Sequence, residues 1–202
     1  MNYLQQIRLL KRFIFFTCCI PLAGLIWQAT QAKLGANPIE AVIHSTGLWA
    51  LRFLLLTLTA TPLQLLFKWN WPMQLRRMLG LFAFFYACLH LSAYIYLDQY
   101  FAWADIIEDI FKRPYITLGM AAWILLIPLA ITSTHKMMQR LGGKRWLLLH
   151  KLVYPIATLA ILHYALLIKA GWSLAAPYIL VFIVLMAVRL KNVTLNKIYK
   201  SQ

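Results

Sequence analysis

The stretch 145-RWLLLHKLVYPIATLAILHY-164 decides how this chain is read. It is apolar enough to enter a bilayer, and a bilayer-crossing helix needs roughly 20 mostly apolar residues. Yet it carries His150, Lys151 and His163. Ionisable side chains inside such a segment are costly and mark function by default. Histidine adds a chemical reason, because the neutral imidazole is a general metal ligand.

Outward from this stretch, the rest of the 202-residue chain has the same character. It is 62% hydrophobic and only 12% charged, with a mean hydropathy of +0.70. A soluble domain carries about twice that charged fraction. The pattern predicts an all-α membrane protein, a six-transmembrane-helix bundle forming one domain over residues 1–202. The six spans are expected near 9–27, 42–67, 78–97, 114–132, 146–168 and 172–188. The first has a rival reading as a signal peptide, because Arg8, Lys11 and Arg12 precede it and small residues follow at Ala29 and Ala32. Five further spans favour a retained anchor. Cys18, Cys19 and Cys88 lie in apolar runs without metal-site spacing and read as buried thiols.

The net charge of +15 would point to nucleic acid in a soluble chain. In this one the cations are topology signals and lipid-headgroup contacts, and no nucleic acid is expected. Fourteen of them lie on one side: Arg8, Lys11 and Arg12; Lys68, Arg76 and Arg77; Lys136, Arg140, Lys144 and Arg145; and Arg189, Lys191, Lys197 and Lys200. Only Lys33, Lys112, Arg113 and Lys169 lie opposite. Both termini are therefore expected in the cytoplasm of a bacterial inner membrane. All five acids (Glu40, Asp98, Asp105, Glu108, Asp109) fall on the outer side. Four of them sit in 98-DQYFAWADIIEDIF-111, which reads as an amphipathic outer helix. Such a helix either caps the bundle or docks a periplasmic protein.

Among the five histidines, His90 lies inside the third span, and His150 and His163 inside the fifth. Both spans run outward, and His90 and His163 fall at similar depth in the outer half. They are the natural axial pair for a haem clamped between two helices. His150 lies deeper toward the cytoplasm, and Arg76 occupies the matching depth on the third span. Arginine stays protonated and is a poor iron ligand. It suits a haem propionate, a flavin phosphate or a quinone oxygen, and His150 is left as a candidate single ligand of a second haem or a contact for another cofactor. Thirteen residues at about 100° each set His150 and His163 roughly 140° apart on an ideal helix. They share a face only if the helix is distorted, and Pro155 lies between them. Arg52, in the second span, is expected to neutralise a propionate of the outer haem or to snorkel toward water. His44 and His135 read as ordinary interfacial residues.

Four segments carry a resemblance: 47-GLWALRFLLLTLTATPLQ-64, 76-RRMLGLFAFFYACLH-90, 113-RPYITLGMAAWILLIPLAITS-133 and 145-RWLLLHKLVYPIATLAILHY-164. Together the chain resembles the MsrQ (YedZ) family, the haem-binding membrane subunits of a periplasmic methionine sulfoxide reductase system, within the ferric-reductase-like transmembrane group. That group typically places two histidines on each of two helices, and this chain departs from the pattern at Arg76. The resemblance implies haem b (one or two) and FMN, although the chain shows no flavin motif. It implies a periplasmic partner, a molybdopterin reductase of the MsrP type, on which methionine sulfoxide reduction takes place. The electron donor it implies is the quinone pool; with no room after the sixth span for a nicotinamide-binding domain, a cytoplasmic flavin reductase is the other expected source. Alternatives are a generic cytochrome b subunit for another oxidoreductase, or a non-redox transporter or assembly protein. Transporters usually show repeats and broken helices at the midplane, and neither is evident in the sequence.

Overall fold

The computed structural model describes residues 2–168 and 172–200. Lys169, counted above among the outer cations, lies outside the described residues. The elements in chain order are α1 (Tyr3–Thr30), α2 (Pro38–Phe67), α3 (Trp71–Ala93), a π-helical turn (Tyr94–Asp98), α4 (Trp103–Lys112), α5 (Pro114–Ile131), α6 (His135–Leu141), α7 (Gly143–His150), α8 (Val153–Leu167) and α9 (Trp172–Lys200). Among the described residues there is no strand.

Six helices are long and apolar enough to cross a membrane: Gln5–Thr30, Pro38–Phe67, Trp71–Asp98, Pro114–Ile131, Gly143–Leu167 and Ser173–Lys191. The expected count is met. The third begins earlier than the sequence reading placed it, because Arg76 and Arg77 continue the helix rather than end it. Local chemistry sets the ends. Asn37 caps α2 by accepting from Glu40 N, with Pro38 at the first helical position. The helix stops at Lys68, whose φ of 61° is left-handed. Beyond α3 the chain turns sharply through Tyr100 and Phe101, both at positive φ, into the short amphipathic helix α4. Thr134 caps α6 by accepting from Met137 N at 3.2 Å.

The fifth span is not one straight rod. Pro155 has no N–H to offer Lys151 O, and its ring crowds that carbonyl. Tyr154 N–H takes the carbonyl instead, at 3.1 Å, and Lys151 and Leu152 also bond back three residues, to Leu148 and Leu149. The helix therefore breaks at Lys151–Leu152, between α7 and α8. The distortion expected near Pro155 is present, so His150 and His163 stand on two separate helical segments.

A side-chain bridge joins α1 to the bundle. Tyr86 of α3 is only 1% exposed. Its hydroxyl accepts from Leu22 N–H at 3.1 Å and donates to Cys18 C=O at 2.9 Å. Those two backbone groups are a helical i, i+4 pair, so Tyr86 bridges the ladder of α1 beside Pro21. The core lies among α2, α3, α5 and α8, centred on Leu58, Phe82, Tyr86, Leu126 and Ile156. Elsewhere large apolar side chains face outward, Phe13 and Phe16 of α1 among them at 70% exposure. That is expected of a helix whose surroundings are lipid.

Candidate functional site

Two helix pairs build the site: α2 with α3, and α5 with α8. In each pair a histidine on the second helix lies over a glycine on the first. A Cβ added at Gly47 would stand 2.9 Å from His90 Nδ1 and 3.0 Å from its Cε1. At Gly119 it would stand 2.8 Å and 3.0 Å from the same atoms of His163. Only hydrogen leaves room for the ring. Brought this close, each ring reaches a carbonyl one turn before its glycine. His90 Nδ1 lies 2.9 Å from Ile43 O, and His163 Nδ1 lies 2.6 Å from Tyr115 O.

A carbonyl can only accept, so each Nδ1 carries the proton and donates it. In the neutral ring Nε2 is then unprotonated, with a lone pair available to a metal. Among the described residues neither Nε2 has a hydrogen-bond partner. The two ring centroids are 6.0 Å apart, with planes at 75°. An iron between two trans nitrogens at about 2 Å each, with each ring centre about 1 Å behind its nitrogen, separates the centres by about 6 Å. The spacing therefore fits a single metal ligated from both sides.

The remaining donors decide which kind of metal centre this is. Among the described residues no group of three His, Cys, Asp or Glu side chains converges. Two imidazoles alone fall short of a closed zinc site, which takes four ligands. They suit an iron whose other ligands come from a porphyrin. A cavity of about 260 Å³ holds both histidines and is walled by Leu54, Ala83, Ala87, Leu126 and Ala160, apolar or small residues from all four helices. Its polar rim includes His44, Asp98 and Arg113. Tyr94 donates to Asp109 Oδ2 at 3.1 Å, and Arg113 Nε lies 3.0 Å from Asp109 Oδ1. These contacts tie α4 to the cavity mouth. The hydrogen bond from Arg113 to the Tyr115 hydroxyl, helped by Asp109, pushes the guanidinium further above its ordinary range.

Comparison with known proteins agrees with this architecture. Residues 46–161 match the model of the "ferric reductase like transmembrane component" family. The "protein-methionine-sulfoxide reductase heme-binding subunit MsrQ" of Rhodospirillum rubrum is 53% identical over 183 residues, covering 91% of this chain and 88% of the relative. The protein of the same name from Herminiimonas arsenicoxydans is 53% identical over 159 residues, covering 79% and 73%. That from Caulobacter vibrioides is 45% identical over 181 residues, covering 90% and 86%. The chain belongs to the MsrQ family.

In this MsrQ-family chain the other expected site residues fall elsewhere. His150 ends α7 and does not line the cavity. Its ring stacks on Trp146 at 3.9 Å, and its Nδ1 lies 3.2 Å from Trp146 O. Arg76, near the start of α3, is among the charges that act on His150. Arg52 does not line the cavity either. Its Nε donates to the Tyr178 hydroxyl at 3.1 Å, and its guanidinium sits 4.7 Å over Trp49. The side chain is half-buried and meets the cavity through two tyrosines, Tyr178 and the cavity-lining Tyr164 on which it packs. His44, read from the sequence as merely interfacial, is part of the rim. Sequence reasoning also missed Gly47 and Gly119. Their signal was present, since glycine inside a helix costs about 1 kcal/mol against alanine and marks close approach in membrane bundles.

Proposed function

We propose that this chain is a haem b electron-transfer subunit of the bacterial inner membrane. It passes electrons from the quinone pool, or from a cytoplasmic flavoprotein, to a periplasmic molybdopterin reductase that repairs methionine sulfoxide in oxidised proteins. The observation that carries the reading is the pair of Nδ1-anchored imidazoles, 6.0 Å apart across an apolar cavity. The relatives' name supports the haem and the methionine sulfoxide reductase system.

Residues divide the work. His90 and His163 would hold the haem iron through Nε2, and the carbonyls of Ile43 and Tyr115 fix their tautomer and orientation. Bound there, haem supplies reversible one-electron chemistry. The apolar wall excludes water and shapes the potential. His150 is proposed as the sole protein ligand of a second haem at the basic end, with Arg76 contacting a cofactor there. FMN rests on the family resemblance alone. The charge asymmetry supports a basic end, with both termini, in the cytoplasm. It supports an outer position for α4, where Asp105 and Glu108 and the exposed Trp103, Ile107 and Phe111 offer a docking surface.

Substitution tests the ligand pair. His90→Ala and His163→Ala should each abolish most of the b-type absorbance in a reduced-minus-oxidised spectrum, with haem quantified per chain. Full spectra from both variants would refute the pairing. Co-purification with a molybdenum enzyme tests the partner.

A further inference from the structure

Among the described residues, the end of the bundle opposite α4 holds a buried charge with no ion-pair partner. Arg189 of α9 is 8% exposed. One terminal nitrogen donates to the Tyr154 hydroxyl and the other to Leu58 C=O, each at 2.6 Å. Its Nε is buried without a hydrogen-bond partner, the one such side-chain atom among the described residues. Arg76, half-buried on α3, lies within electrostatic reach of both Arg189 and Tyr154. The packing puts both at one end of the bundle: a Cβ at Gly80, one turn after Arg76, would stand 3.7 Å from Thr57, the neighbour of Leu58, and like charges in a region of low dielectric repel.

None of the five acidic side chains answers them. Along α2, Glu40 lies eighteen residues before Leu58, about 27 Å at the helical rise. Asp98 lies twenty-two residues after Arg76, and the three remaining acids belong to α4 beside it. Nor does Arg189 reach outward to lipid, since its donors point to α2 and α8. A buried, unpaired cation is strongly destabilising, and a guanidinium matches the planar or tetrahedral oxygens of carboxylate and phosphate.

We propose that Arg76 and Arg189, braced by Tyr154, form an oxyanion-binding site at the basic end of the bundle, taking the carboxylate or phosphate of a bound ligand. This deepens the cofactor role given to Arg76 above. It stands independently of the His90–His163 pair.

The test uses the full chain purified in a phosphate-free maltoside detergent, as wild type, Arg76→Gln and Arg189→Gln. Three quantities are measured: porphyrin per chain; phosphorus per chain, divided into chloroform-extractable and water-soluble; and the thermal midpoint in rising inorganic phosphate against sodium chloride of equal ionic strength. Wild type should show a second porphyrin, tightly held phosphorus, or a phosphate-specific rise in midpoint. The first identifies a propionate. Extractable phosphorus identifies a lipid, and the other two signals identify a soluble phosphate. Each variant should retain that ligand about tenfold less well or worse, as loss of a charged hydrogen bond implies. The spectrum of the His90–His163 haem persists in Arg76→Gln, which reports folding and separates this proposal from the reading above. If Arg189→Gln does not fold, Arg76→Gln decides alone. Absence of all three signals in wild type overturns the site. So does an undiminished signal in Arg76→Gln, or in folded Arg189→Gln.

Discussion

At the scale of single residues, the least conspicuous side chains set the geometry. Gly47 and Gly119 contribute nothing but space, and that space lets two imidazole rings lie on a helix backbone and donate to Ile43 O and Tyr115 O. An alanine at either place puts a methyl group under 3 Å from Nδ1. Overpacking of this kind costs about 1–3 kcal/mol, and the ring must move to escape it. Gly47→Ala and Gly119→Ala should therefore each lower retained haem about tenfold or shift its midpoint potential, and together they should do more. Haem per chain and redox titration measure this. The folded state is expected to survive, because each clash is with one ring. Unchanged haem content and potential in both variants would mean the rings are not held by this contact.

Among the helices, two prolines with opposite outcomes show how a span is bent and then secured. Pro155 removes one donor, and the chain closes the gap itself with bonds that span three residues at Lys151, Leu152 and Tyr154. Pro21 is followed by a bridge from outside: Tyr86 satisfies Leu22 N–H and Cys18 C=O and so pins α1 to α3. Tyr86→Phe leaves that pair without the hydroxyl, at about 1–3 kcal/mol for each buried group that stays unsatisfied. The thermal midpoint in detergent should fall, with the His90–His163 spectrum intact below the transition because Tyr86 does not line the cavity. An unaltered midpoint would show that α1 closes its own hydrogen bond. At α7, His150→Ala should leave the outer haem signal and remove only a second, if the two histidines serve separate sites. Haem stoichiometry distinguishes this from loss of a single shared haem.

For the whole molecule, the separation of charge is the organising feature. Cations crowd one end and every acid lies at the other. Alkaline phosphatase fused at the C-terminus should be inactive, and fused after Gln99, in the loop before α4, it should be active, if the basic end is cytoplasmic. The reverse pattern would invert the topology. Exposed Asp105 and Glu108 lie on α4, which Asp109 ties to the cavity-lining Tyr94 and Arg113, so replacing both by lysine should slow electron delivery to the soluble partner several-fold at low salt. The difference should shrink as salt rises, and stopped-flow oxidation of the reduced haem measures it.

Composition alone required lipid-facing helices, because so few charges cannot solvate this length of chain. Periodic runs of apolar residues sufficed to count six spans, and the cost of burying imidazole singled out His90 and His163 before any coordinates. Local pattern marked Pro155 as a place where the fifth span could bend, but could not show that the break falls at Lys151–Leu152. It could not show that Arg52 turns toward Tyr178, or that Gly47 and Gly119 seat the two rings. Nor could it reveal Arg189 as a buried cation, because near a span's end it reads like any topology signal. Each of these depends on which face of one helix meets which face of another. Hydrophobic periodicity is weak where every face is apolar, so only packing in three dimensions chooses the partners.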